Sequence, residues 1–438
     1  MMRKNAKTKN FSNKNPEKNT SEKTRLLKKA IKNPDWTFAT ILSLIYLVLT
    51  ITGAFHHESW RDEFQAWLIA QNSHSIPDLF HNIRHEGHPA IWHLLLYGIS
   101  RFTVSMMVMK IIHVAIASAA VFVLNAFAPL PRITKILFSF GYFIIYEYAL
   151  VNRPYGTGML FLFAFCALYT FYHTKRQNFL LLLMGADLFL LSNTSIFGVM
   201  LTLVLILFLF IDSITGNLKN IFQKKNLVFI ALALGLALSG LFIAVLQIRP
   251  PSDNNFPLQY ANGYDLSRLK YALTKICITY FPIPKLGVVN SWNTSIFLKD
   301  TKYNMVFLSV LLIALFAYIF QKRTAVLILY LCGTIGLLAF NYYTLQFGAR
   351  YTGHFFLLLM ACYWLFYIRK DESKQIQDAK TKKTSLLPWP ERIGSVSLYI
   401  ILIVNLFAGI YMYFMDIKYP FSNMDALGKY ILENKLDT

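Results

Sequence analysis

Long apolar runs separated by short polar connectors fill most of the chain from Trp36 to Met415. A run of about 18 or more residues with few charges is long enough to cross the hydrocarbon of a bilayer as a helix. Apolar runs of this length or slightly shorter mark predicted spans at about 36–55, 108–127, 135–151, 156–172, 178–192, 195–211, 227–247, 303–320, 324–341, 353–368 and 394–415, about eleven in all. The segment 90–102, AIWHLLLYGISRF, falls short of the roughly 20 residues a crossing needs. It is predicted to stay on one side, which fixes the side of every later connector. The predicted fold is an all-α polytopic membrane protein whose first loop carries interfacial helices.

Composition agrees with this picture: 55% of the 438 residues are hydrophobic and the mean hydropathy is +0.44. The net charge of +21 changes its reading from solubility to topology. The tail 1–35 alone carries 11 Lys and Arg, and with Arg132/Lys135, Lys175/Arg176, Lys219/Lys224/Lys225, Lys322/Arg323 and the linker 369–393 it holds 27 of the 43 basic residues. Basic residues gather on the cytoplasmic side. The tail is therefore read as a disordered cytoplasmic segment, too long and too charged to belong to a cleavable signal peptide. Nucleic-acid binding is excluded, because alternating spans break up the continuous basic face that tracks phosphates. Cys166, Cys277, Cys332 and Cys362 show no metal spacing and no disulfide framework.

With the sides set, the polar segments His56–Pro89, Asn152–Tyr155, Arg249–Lys302 and Asn341–His354 share the outer face. The predicted domains are the tail 1–35, a transmembrane module 36–415 with outer loops 56–107 and 248–302, and a short outer tail 416–438. Within the first loop, Trp60, Phe64, Trp67 and Leu68 are spaced as one apolar helical face, so that helix should lie along the membrane interface. Asp62 falls nearly opposite that stripe and Glu63 at its edge. Downstream, Pro89 suits a first helical position, which leaves Gly87 and His88 at a helix N-terminus with free N–H groups that attract phosphate. Pro154 breaks a helix beside Arg153 and so fixes that cation at the membrane surface. Arg350 and His354 stand at the start of another span. A metal is not assigned: His81, His85 and His88 could share a face with Glu58 or Glu86 only if one helix ran through Gly87. Residues 266–281 are read as another interfacial helix, in a loop long enough to cap a cleft.

Asp62-Glu63 after the first span, Glu86-Gly87-His88-Pro89 with the apolar Trp92 to Tyr97, and Arg153-Pro154-Tyr155 together resemble the membrane glycosyltransferases of the C-type fold. The likeness is to the group of protein O-mannosyltransferases and bacterial aminoarabinose transferases. It orders roughly the first 200 residues; beyond them only Arg350 to His354 carries it. The resemblance implies a polyprenyl-phosphate-sugar donor, a glycan, lipid or protein acceptor on the outer face, and a bacterial plasma membrane as location. It makes Asp62 the general base and Glu63 its support, with His88, Arg153, Tyr155, Arg350 and His354 around the donor phosphate. Glu86 and Glu147 are possible supporting acids. Family members often carry an acid about two residues before the Arg of the third motif, whereas Glu147 lies six before Arg153, and no large C-terminal soluble domain is present. One carboxylate suffices for a single inverting displacement.

Two other classes fit the same pattern in part. A lipid-linked saccharide transporter or flippase carries charged residues along a path through the bilayer, where this sequence has almost only Asp187. A polysaccharide polymerase or ligase would share both the outer site and the lipid phosphate.

Overall fold

The protein is described by a computed structural model covering residues 35–215, 218, 221–251, 263–298, 302–344, 348–368 and 389–435. The predicted disorder of the basic tail up to residue 34, most of the linker 369–393 and part of the loop 248–302 lie outside the described residues.

Every long element among the described residues is a helix. In chain order they are α1 (Trp36–His56), α2 (Arg61–Asn72), α3 (Ile76–Asn82), α4 (Ile91–Ser100), α5 (Met106–Phe127), α6 (Arg132–Ser139), α7 (Tyr155–Lys175) and α8 (Phe179–Ser192). They continue as α9 (Ile196–Ile214), α10 (Lys224–Ile248), α11 (Leu266–Tyr280), α12 (Lys302–Phe320), α13 (Thr324–Thr344), α14 (Ala349–Tyr367), α15 (Trp389–Lys418) and α16 (Met424–Glu433). Seven of them, α1, α5, α7, α9, α10, α13 and α15, are long and apolar enough to cross a membrane. α8 has 14 residues, and α12 and α14 have 19 each. The outer surface matches this reading: α10 exposes Val228, Leu232, Phe242 and Leu246, as a lipid-facing helix does. α4 has 10 residues and packs on α2; at 1.5 Å per residue it is about 15 Å long, half the hydrocarbon thickness.

The predicted span 135–151 is not one helix. α6 stops at Ser139, a π-turn occupies Phe143–Glu147, and the chain then runs irregularly to Pro154. The break is built by close approach to α15. A Cβ on Gly141 would lie 3.3 Å from the Asn405 Cβ, and one on Gly409 would lie 2.8 Å from the Phe140 carbonyl. Residues 141–159 are all buried, so irregular backbone here is wrapped in protein, the one setting in which a membrane tolerates it. An apolar run reports burial and cannot separate lipid from protein as the surrounding medium.

α14 forms the other half of this interior, buried continuously from Thr352 to Phe366. A helix apolar on all sides belongs inside a bundle. The two meet where Gly353 faces Phe143 and the Tyr148 hydroxyl, with no room for a side chain. α11, read from the sequence as interfacial, buries Ala272, Ile276, Cys277 and Tyr280 against the bundle, where it packs on α12 and α14. Asp265 caps its N-terminus, accepting from the Ser267 N–H at 2.8 Å.

The polar connectors sort to two ends. At one end Arg132 pairs with Asp35, and Arg323 contacts Asp212 at 3.0 Å. The other end holds the residues described next.

Candidate active site

α2 positions the first acid. Its buried face is Glu63, Ala66, Trp67 and Ala70; the predicted stripe therefore splits, with Trp67 packed inside, Trp60 and Phe64 half-buried and Leu68 exposed. α2 needs a protein-facing side because α4 and α5 supply Trp92, Leu96 and Met109 to its cluster. One consequence is that Glu63 points inward. It is fully buried and saturated: its Oε1 accepts from the Asn152 N–H at 2.6 Å and the Asn152 amide at 2.8 Å, and its Oε2 from the Trp60 N–H at 2.9 Å. The last of these is the back-reaching half of a capping box.

Glu63 Oε2 also lies 3.3 Å from His57 Nε2, and the other ring nitrogen of His57 lies 2.8 Å from Asp416 at the end of α15. Burial by itself would lower His57, but the carboxylates of Asp416 and Glu63 raise it to about 10. Burial likewise works upward on Glu63, yet His57 and the backbone N–H donors bring it down to about 2. The group is a histidine held between two acids and closed off from water.

Asp62 stands on the open side of the same turn. Its Oδ2 accepts from Arg350 Nη1 at 3.1 Å, its carbonyl accepts from Arg153 Nη1 at 2.8 Å, and its side chain is 15% exposed. The Arg350 guanidinium sits 4.9 Å from the Trp60 ring centre and 4.8 Å from that of Tyr351, and it donates to the Tyr351 hydroxyl at 2.8 Å. Two aromatic faces hold the cation in register with the carboxylate. Arg153 is fixed from behind, where the His113 ring contacts the carbonyls of Ala149 at 3.0 Å and of Arg153 itself at 2.9 Å.

Tyr155 and His354 complete a ring cluster, with Tyr155 5.6 Å from His354 and 6.0 Å from His88, and His354 stacked 4.2 Å from Phe197. Several buried polar atoms here have no partner among the described residues: Arg153 Nε, the Tyr155 hydroxyl, His88 Nδ1 and both ring nitrogens of His93. Buried polar atoms are ordinarily paired, so this group holds hydrogen-bonding capacity that the described residues leave unmet. Burial, reinforced by Arg153, His93 and Arg350, lowers His88 well below its usual range, leaving a neutral ring.

Of the remaining expected residues, Glu86 accepts from Gln65, and burial raises it against the opposing pull of Arg153. Glu147 accepts from the Tyr142 hydroxyl at 2.9 Å and from the Trp292 indole at 3.1 Å, behind the Trp292 and Trp60 rings rather than beside Asp62. The helix after Pro89 starts at Ile91, and the Ala90 N–H is taken by Gln247 at 2.6 Å. His81, His85 and His88 do not share one helix face: α3 ends at Asn82, a 3-10 turn follows, and Gly87 turns the chain at φ +64. Among the described residues no three His, Cys, Asp or Glu side chains converge to hold a metal.

Segments read from the sequence as four separate outer pieces therefore meet. Arg350 and Arg153 reach Asp62, Trp292 packs on Trp60 at 5.0 Å, and Asn293 accepts from the Ala349 N–H at 2.8 Å. His57, Asn152 and Asp416 were not legible as site residues; a fully buried histidine between two acids has no local pattern. No protein-family model and no curated protein matches the chain.

Proposed function

We propose that the protein is a membrane glycosyltransferase of the C-type fold that passes one sugar, with inversion, from a polyprenyl phosphate to an acceptor on the extracytoplasmic face. The observation that carries this reading is the placement of Asp62 between Arg153 and Arg350, beside unpartnered buried donors. In the reaction, Asp62 takes the acceptor hydroxyl proton as its oxygen bonds to the anomeric carbon. The bond from that carbon to the phosphate oxygen breaks, and the electron pair leaves with the polyprenyl phosphate. Arg153 and Arg350, with the Tyr155 hydroxyl and neutral His88, stabilise the charge that develops. Arg153 suits the role because its Nε is uncommitted, and Arg350 because a guanidinium has five N–H donors.

The direct test supplies membranes containing the protein with radiolabelled polyprenyl-phosphate sugars and asks whether label moves to a second molecule. If no donor in the panel is consumed, the reading fails. Donor binding gives a second expectation: Arg153→Ala and Arg350→Ala each weaken it about 10- to 100-fold, the range for a charged hydrogen bond. Unchanged donor affinity in both folded variants would remove the phosphate assignment.

Sidedness is tested separately. His74 is exposed at the site end, and Gln321 is exposed at the end bearing Arg323. With the native cysteines replaced, His74→Cys is expected to react with an impermeant thiol reagent in intact cells and Gln321→Cys only after lysis. The opposite pattern inverts the protein in the membrane.

A further inference from the structure

Two cavities flank the exposed edge of α2 and share Arg61 and Met424 in their walls. One, of about 560 Å³, is lined by Phe64, Gln65, Leu68, Asn72 and Asn82. The other, of about 470 Å³, is lined by Trp60, Asn290, Trp292, Phe421 and Asn423. They form a groove between α2 and the start of α16. Arg61, whose side chain is 82% exposed, lies 3.5 Å from the Asp62 carboxylate and joins the groove wall to that acid, which does not itself line either cavity. Trp60, in the wall of the second cavity, carries Arg350 on its ring.

The chemistry of the walls is selective. None of the lining side chains is acidic, Arg61 is the sole cation, and Gln65, Asn72, Asn82, Asn290 and Asn423 are neutral amides. Gln65 and Asn82 are engaged within the protein, but Asn72, Asn290 and Asn423 make no side-chain hydrogen bond among the described residues. A carboxamide donates and accepts at once, which matches a hydroxyl that does the same. Trp60, Trp292 and Phe421, in ring contact at 5.0 and 4.9 Å, add flat apolar surface for the C–H faces of a sugar ring. A lipid chain in the same groove would leave these amides unpaired and out of water, which is unfavourable.

From this we infer that the groove between α2 and α16 binds a saccharide, and that the acceptor of the proposed transfer is a glycan. The word acceptor rests on the transferase reading; the binding of a saccharide does not.

The test is equilibrium binding of tritiated neutral, amino-sugar and uronic-acid trisaccharides to the full chain in lipid nanodiscs, which avoid sugar-headed detergents. At least one trisaccharide is expected to saturate below about 10 mM. The double variant Asn290→Ala, Asn423→Ala, both exposed positions, is expected to weaken it about tenfold, with the melting temperature checked in parallel. No saturation by any member of the panel, or affinity unchanged in the double variant and in Arg61→Ala, overturns the inference. Displacement of bound label by polyprenol instead of by unlabelled sugar assigns the groove to a lipid and overturns it as well. Sugar binding without transfer from any polyprenyl-phosphate donor leaves the groove standing and removes the transferase. Transfer with an acceptor KM unchanged in the double variant does the reverse.

Discussion

Replacing Asp62 by Asn is expected to lower sugar transfer about 10²- to 10⁴-fold, the usual contribution of a general base, with the donor still bound. The substitution keeps the shape of the side chain and its contact with Arg350, which stands 3.1 Å from Oδ2, while removing the group that takes the proton. Single-turnover transfer with preloaded donor separates this from a binding defect. Wild-type transfer by Asp62→Asn would end the assignment of the base. Glu63 is not an alternative base in this geometry: all its close donors are internal and it is sealed from solvent.

Glu63→Gln is instead expected to destabilise the fold by about 3–5 kcal/mol, because it breaks one of the two buried acid contacts of His57 and disturbs the Asn152 and Trp60 donors that converge on Glu63. Its pH signature has a defined sign. Glu63, held near 2 against an ordinary 4.5, stabilises above the ordinary value, and that contribution fades as pH falls toward 2. His57, raised to about 10 from 6.5, stabilises fully below 6.5, and its contribution fades as pH rises through 10. The two together place the strongest clamp between the ordinary values, 4.5 and 6.5. Melting temperature against pH should fall on both sides of that window in the wild type. Glu63→Gln should flatten the acid side. A variant as stable as the wild type, with an unchanged profile, contradicts the clamp.

How much of this could be read in advance depended on whether the signal was local. Asp62, Arg153 and Arg350 each stand beside a span end marked by a charge, a Pro or a Gly. Grouping the loops by basic content therefore put them on one side before any contact was known. Of the stripe Trp60, Phe64, Trp67 and Leu68 on α2, Trp67 packs into the bundle and Leu68 is exposed. The bundle also receives Ala66 and Ala70, whose small size lets α4 approach, and with them an acid. The apolar run 135–151 likewise concealed a broken segment, since protein interior and lipid select the same residues. His57 and Asp416 are separated by 359 positions, and neither has a neighbour that announces the other.

That separation has a consequence for how the protein is made. At about 5–20 residues per second, a ribosome needs roughly 20–70 s to travel from His57 to Asp416. For most of that interval α1, α2 and the Asn152 loop already exist, but the ring between them lacks its second acid. The second contact of that ring forms only with the arrival of α15, the helix that also packs against α6 and the π-turn. Nascent chains halted before Asp416 should therefore hold His57 against Glu63 alone, with the 2.8 Å contact to Asp416 still to form.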